Sequence, residues 1–277
     1  MKKTIPEFEK MKQAAEKISM LTAYDFPSAQ LVEEAGVDMI LVGDSLGMVV
    51  LGYDSTVPVT MEEMLHHTKA ACRGAKQTFV VADMPFMSYA TLDLAILNAG
   101  RLIKEGGADA VKLEGGYSLV PIVQALTRAG IPVVGHIGLT PQTANQLGGL
   151  KVQGRDLNSA KQLVEDGQAL EQAGAFMLVL EAIPRQVARQ LSTALKIPTI
   201  GIGAGLDCDG QVLVFHDILG LFKRFRPKFV KQYADLGHDA VKAIQVFHQE
   251  VKSSLFPAEE HTFSLSNEVI QELYGDK

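Results

Sequence analysis

Short apolar runs alternate with longer amphipathic runs along most of the chain, and that alternation admits few folds. Strand-like segments at residues 18–24, 38–44, 79–83, 110–114, 132–137 and 176–181 alternate with helical periods at 28–35, 61–76, 91–105, 119–129, 157–173 and 185–196. Strand then helix, repeated, is the pattern of parallel strands joined by crossover helices. Residues 197–202 and 211–216 read as two further strands, giving eight, the number that closes a (β/α)8 TIM barrel. A doubly wound sheet is the rival fold. It is disfavoured because Ala23-Tyr24-Asp25-Phe26-Pro27 stands where a Gly-x-Gly-x-x-Gly turn would open the first βα unit.

The punctuation agrees with the periods. Thr60 with Glu63 makes a capping box, and Gly36, Gly107, Gly130 and Gly174 sit where helix ends need a left-handed residue. The turns Ala35-Gly36-Val37-Asp38, Gly106-Gly107-Ala108-Asp109 and Ala173-Gly174-Ala175-Phe176 recur roughly 70 positions apart, about two βα units. The reading is a single α/β domain over residues 1–277, with the barrel at about 18–253. A helix at about 231–252 is expected to close the ring, and a polar tail at about 254–277 to carry one short helical turn.

Composition narrows the partners. The 26 basic and 32 acidic residues are intermixed and leave a net charge of −6, so there is no basic stripe for nucleic acid and no cluster for a membrane surface. Cys72 and Cys208 are far apart, which supports neither a disulfide framework nor a thiolate zinc site and suits a reducing compartment. Glu7, Glu9, Lys10, Lys12, Glu16 and Lys17 interrupt any leader-like apolar stretch, and no run of about 18 apolar residues follows. These features predict a cytoplasmic protein acting on small molecules.

Four of the apolar runs end on an acid: Asp44, Asp83, Glu114 and Glu181. A carboxylate at the C-terminal end of a barrel strand is where such folds keep their active sites. Alternation along a strand puts Lys112 with Glu114 on one face, and likewise Val42 with Asp44, Val81 with Asp83 and Val179 with Glu181. If those faces point to the axis, four carboxylates and one ammonium share one concave space. Hard oxygen ligands of this kind suit Mg²⁺ or a similar ion. Asp44, Asp83 and Glu114 come from adjacent strands and form the natural metal cluster, leaving Glu181 across the barrel as a base.

A lone Asp at a strand end is more often a cap or turn residue, but four in register are not accounted for that way. Lys112 inside an apolar run reads as an anion ligand in preference to a solvated lysine. His136, at the end of the fifth strand, reads equally as a satisfied buried imidazole or as a polar site residue. His66 and His67 are adjacent on a helix and read as surface residues, and the Gly201, Gly203, Gly205 turn is a weak phosphate signal.

Several long motifs, in order, resemble the ketopantoate hydroxymethyltransferase family. They are Leu21-Thr22-Ala23-Tyr24-Asp25, Gly43-Asp44-Ser45-Leu46-Gly47, Ala82-Asp83-Met84-Pro85-Phe86, Val111-Lys112-Leu113-Glu114-Gly115-Gly116, Gly135-His136-Ile137-Gly138-Leu139-Thr140-Pro141-Gln142, Lys151-Val152-Gln153-Gly154-Arg155 and Ile200-Gly201-Ile202-Gly203-Ala204-Gly205. The resemblance runs from about Met11 to Phe263; Met87 stands where many members of the family have glycine and Leu150 where an aromatic residue is frequent.

The resemblance implies transfer of a hydroxymethyl group from 5,10-methylenetetrahydrofolate to 3-methyl-2-oxobutanoate, giving 2-dehydropantoate through an enolate stabilised by Mg²⁺. It implies Mg²⁺ held by Asp44 and Asp83 with Glu114 as third contributor, substrate contacts from Asp44, Ser45, Asp83, Lys112 and His136, and Glu181 as the base. It implies a homo-oligomer, with a decamer the usual expectation. Two rivals differ in kind. The Mg²⁺-dependent 2-oxo-acid lyases and mutases related to isocitrate lyase carry a reactive cysteine loop that neither Cys72 nor Cys208 matches. A non-catalytic barrel leaves four strand-end carboxylates without a use.

Overall fold

The computed structural model describes residues 2–275. Eight parallel strands close into a barrel in sequence order: β1 (Ile18–Thr22), β2 (Met39–Val42), β3 (Phe79–Asp83), β4 (Ala110–Glu114), β5 (Val133–Gly138), β6 (Met177–Glu181), β7 (Thr199–Ile202) and β8 (Gly210–Leu213). Closure is made by β1, which pairs with β2 on one side and with β8 on the other. All eight expected strands are present. The last ends early, because residues from Phe215 turn into a short helix, Phe215–Ile218.

The crossover helices start and stop where side chains satisfy their ends. Met61–Gly74 opens at Thr60, whose hydroxyl accepts from the Glu63 N–H at 3.2 Å while Glu63 Oε2 accepts from the Thr60 N–H at 2.7 Å. Gly36, Gly107, Gly130 and Gly174 adopt φ between +74° and +102°, the region a helix C-terminus needs and L side chains avoid. Met87 holds φ +65° without being glycine.

The core has two layers. Ile40, Val42, Val80, Leu113, Leu178 and Leu180 pack outward against the helices. Met39, Leu41, Val81, Val134, Met177 and Val179 fill the barrel interior. A feature the sequence reading passed over seals the lower end: helix Ile5–Gln13 inserts a fully buried Phe8, its ring 5.4 Å from that of Phe79 in an edge-to-face pair. The Thr4–Glu7 capping box and the Ile5, Phe8, Met11 spacing were the signals available. With that end plugged, the cavity opens at the C-terminal ends of the strands.

The C-terminal region departs from expectation. The helix spans Leu236–Lys252, and none of its side chains is buried, so it does not close the ring. Residues 219–235 instead run irregularly past the open end of the barrel, and Phe222, Phe225 and Phe229 from this stretch line the cavity. The tail holds more helix than the one short turn expected: a turn at Glu259–His261 and a helix at Asn267–Tyr274, with Phe263 between them and Ile270 and Leu273 on the helix exposed. Among the described residues, no helix is long and apolar enough to cross a membrane.

Candidate active site

Parallel pairing sets the charged residues side by side. Asp83 of β3 is in register with Lys112 of β4, Glu114 of β4 with His136 of β5, and Gly138 of β5 with Glu181 of β6. Val81 and Val179 lie in the barrel interior, so Asp83 and Glu181, two residues on, point inward as the alternation predicts. Asp44 arrives differently. Leu41 faces the interior and Val42 faces the helices, so strict alternation would have sent Asp44 outward. The strand ends at Val42, and the turn into helix Leu46–Val49 swings Asp44 back over the axis. Gly43 makes this possible, since a Cβ there would lie 2.9 Å from Ser45 Oγ. The Asp44 N–H then donates to Asp83 Oδ2 at 3.1 Å.

The result is an arc of alternating charge. Lys112 Nζ lies 3.1 Å from Asp83 Oδ1 and 3.7 Å from Glu114 Oε1, and His136 Nδ1 lies 3.4 Å from Glu114 Oε1. On its other side, His136 Nε2 lies 3.2 Å from Glu181 Oε2. Asp44, Asp83, Lys112, Glu114 and His136 are all buried, and Glu181 nearly so. Burial, reinforced by the Glu114 and Asp83 charges, pushes the Asp44 carboxyl well above the usual carboxylate range. Burial raises Asp83 as well, with Lys112 opposing. Glu114 goes the other way: burial is outweighed by His136, Lys112 and the Gln142 N–H, and its pKa falls. Burial would lower Lys112, but the Asp83, Glu114 and Asp44 carboxylates hold its pKa above that of a free lysine.

Burial and Lys112 push the His136 ring toward its neutral form, yet the Glu114 and Glu181 carboxylates prevail and raise it to about 9. Lys112 Nζ, 3.0 Å from Nδ1, can donate there only to the neutral ring. His136 Nε2 lies 3.2 Å from Glu181 Oε2 without an aligned hydrogen bond. His136 is thus part of the arc and not a satisfied core histidine.

Within the buried arc, four carboxylates against Lys112 and the His136 ring leave excess negative charge, and Asp83 Oδ1 is buried without an aligned hydrogen bond. Both features fit a hard divalent cation. The three acids named from sequence do not form a ready coordination sphere, however: among the described residues no three Asp, Glu, His or Cys side chains converge in that way. Lys112 pairs with both Asp83 and Glu114, and both Glu114 oxygens are engaged by His136, Lys112 and the Gln142 N–H. Asp44 and Asp83 remain as the adjoining pair.

Gln142 is a site residue to which the sequence alone assigns no role. Its side-chain N–H groups donate to Asp44 Oδ2 at 2.8 Å and to the Met84 carbonyl at 2.9 Å, and its carbonyl accepts from the Tyr89 hydroxyl. Its place after β5, four residues beyond Gly138, was the available signal. Ser45 lines the cavity with its hydroxyl 2.8 Å from that of Tyr24, likewise without a role assigned from sequence. His66 is exposed and His67 donates to the Tyr24 carbonyl at 2.6 Å, so neither reaches the site. The glycine turn is packed, not open: a Cβ at Gly203 would lie 2.7 Å from the Phe229 ring and one at Gly205 2.7 Å from Arg185. The cavity these residues enclose measures about 360 Å³.

Residues 2–259 match the family model described as ketopantoate hydroxymethyltransferase. The chain belongs to that family. It is 61% identical over 261 residues to the 3-methyl-2-oxobutanoate hydroxymethyltransferase of Moorella thermoacetica, covering 94% of this chain and 97% of the relative. It is 58% identical over 272 residues to the enzyme of that name from Carboxydothermus hydrogenoformans, covering 98% and 99%. The chain is accordingly an enzyme, a hydroxymethyltransferase.

Solved structures share the family's fold at low identity. A phosphonopyruvate hydrolase matches with a TM-score of 0.61 at 16% identity, covering 99% of this chain and 95% of that one. A 2,3-dimethylmalate lyase of the PEP mutase/isocitrate lyase superfamily matches at 0.58 and 17%, also covering 99% and 95%. The barrel is therefore of the kind that the lyase rival uses, but the chemistry follows the family. Burial pushes the Cys72 thiol up to about 11 and raises Cys208, and neither lines the cavity.

Proposed function

We propose that this chain transfers a hydroxymethyl group from 5,10-methylenetetrahydrofolate to 3-methyl-2-oxobutanoate, giving 2-dehydropantoate for pantothenate and coenzyme A synthesis. The observation that carries this reading is one cavity holding an acid pair at one wall and a histidine-held carboxylate at another: Asp44 with Asp83, and Glu181 with His136. Lys112 and Ser45 bind the carboxylate end of the 2-oxo acid. Asp44 and Asp83 would hold Mg²⁺, with Glu114 contributing through water. When bound, the ion polarises the keto oxygen, a Lewis-acid effect of several kcal/mol.

Glu181 takes the C3 proton. His136 orients it through Nε2 and leaves its second oxygen for the substrate. The C3 carbon then bonds to the one-carbon unit, and water supplies the hydroxyl as tetrahydrofolate leaves. Residues 1–277 work as one unit in a cytoplasmic homo-oligomer, a decamer by family resemblance. Exposed Val241, Ile244 and Phe247 on the C-terminal helix support association between copies.

A proton NMR time course of 3-methyl-2-oxobutanoate in D₂O with protein and Mg²⁺ tests the reading. Loss of the C3 proton, followed by 2-dehydropantoate once 5,10-methylenetetrahydrofolate is added, is the expected course. Neither exchange nor product, with folded protein and metal present, would refute it.

A further inference from the structure

One carboxylate in the cavity has no part in the mechanism above. Asp217 lies in the helical turn Phe215–Ile218 just beyond β8, and lines the same space as Ser45, Asp83 and Lys112. Every acid of the arc is held by a neighbour: Asp44 by Gln142, Asp83 by the Asp44 N–H, Glu114 by the Gln142 N–H and Glu181 by His136. Asp217 is not. Among the described residues its carboxylate accepts no hydrogen bond and meets no cation, so burial alone acts on it and pushes it up to about 6. An acid half withdrawn from water without a donor costs stability, and at a cavity wall that cost is kept where a ligand supplies the donors.

We infer that Asp217 receives the 2-amino-4-oxo edge of the reduced pterin of the folate co-substrate. This assignment rests on the transferase reading above. That edge presents a ring N–H and an exocyclic N–H side by side in one plane, a pair that matches two carboxylate oxygens as a guanidinium does. The 2-oxo acid offers Asp217 nothing. It carries only acceptors and a negative charge, so Asp217 repels it toward Lys112.

The rest of the wall suits the rest of a folate. Phe222, Phe225 and Phe229 line the cavity and supply flat apolar surface for aromatic rings. Gly203 leaves the room that the Phe229 ring occupies, which gives the glycine turn a use other than phosphate. Lys151 and Lys228, both exposed, also belong to the lining and stand ready for the carboxylates of a glutamate tail. The pterin therefore lies inward, beside the 2-oxo acid, with the tail toward solvent.

Calorimetric titration of the full chain, with Mg²⁺ and 3-methyl-2-oxobutanoate present, tests this with two probes: tetrahydrofolate and its 2-desamino-2-methyl analogue. The wild type is expected to bind tetrahydrofolate at least about 30-fold more tightly than the analogue, because a site built for a donor rejects the ligand lacking it. Asp217→Asn and Asp217→Ala are expected to bind the two probes within about threefold of each other, both weakly, at the level of wild type with the analogue. Variants that keep the wild-type discrimination, or a wild type that binds both probes alike, would overturn the assignment. A wild type that exchanges the C3 proton but fails to discriminate sinks only the Asp217 role. A wild type that neither exchanges that proton nor binds tetrahydrofolate sinks the transferase reading, and this one with it.

Discussion

The side-chain amide of Gln142 donates to Asp44 Oδ2 at 2.8 Å, while its own backbone N–H donates to Glu114 Oε2 at 3.0 Å. One residue after β5 thus aims acids that come from β2 and β4. Its amide cannot flip, because the carbonyl accepts from Tyr89 and both N–H groups face acceptors.

Gln142→Met keeps the length and removes the donors. Mg²⁺ affinity by titration should fall about 10- to 100-fold, the usual cost of losing a group that orients a ligand. The 2-oxo acid KM should rise with it, while the melting temperature moves by only a few degrees. Unchanged metal affinity would show that Gln142 merely fills space.

Lys112 stands between Asp83 and Glu114, at 3.1 Å and 3.7 Å. Lys112→Met leaves buried carboxylates facing one another, and breaking such a pair costs about 3–5 kcal/mol. For a chain of this size that lowers the melting temperature by about 10 °C. Added Mg²⁺ should restore more of it in the variant than it adds to wild type. A variant that melts like wild type and ignores Mg²⁺ would mean that the acids are not clustered as described.

Glu181→Gln preserves shape and the approach to His136 but cannot accept the C3 proton. Deuterium exchange at C3 should slow by about 10²- to 10⁴-fold. Binding of the 2-oxo acid and Mg²⁺ should stay within a few-fold of wild type. Exchange at the wild-type rate would remove Glu181 from the role of base.

Asp217 carries a pH-dependent penalty. Its folded-state pKa, pushed up to about 6 by burial, lies above its ordinary 3.8, so the folded chain prefers the protonated form. Stability is therefore lost as pH rises between those two values and is flat above them. With solvent screening discounted for a group only about half buried, the penalty at neutral pH is about 1 kcal/mol. Asp217→Asn should be more stable than wild type at pH 7.5, with the gain fading as pH falls from 6 toward 4, followed by thermal melts. No gain at pH 7.5 would mean that the carboxylate is solvated.

Much of the architecture was legible in the order of residues. Strand positions followed from apolar runs, helix ends from Thr60 with Glu63 and from the four turn glycines, and three of the inward acids from simple alternation. The ring-closing role given to residues 231–252 was not borne out. The apolar stripe of Leu236–Lys252 faces outward, and periodicity reports that a stripe exists but not what covers it.

Local chemistry along the chain was enough to set eight strands, their helices and the acids at their ends, because period, capping and turn preferences act over a few residues. The tertiary structure alone decided the rest. Asp44 enters through a turn that breaks alternation, and Lys112 meets Asp83 because parallel register aligns them. Gln142 reaches across to β2, and Asp217 returns to the mouth after the barrel has closed. Distances between residues so far apart in sequence depend on how the barrel closes, and no local preference encodes them.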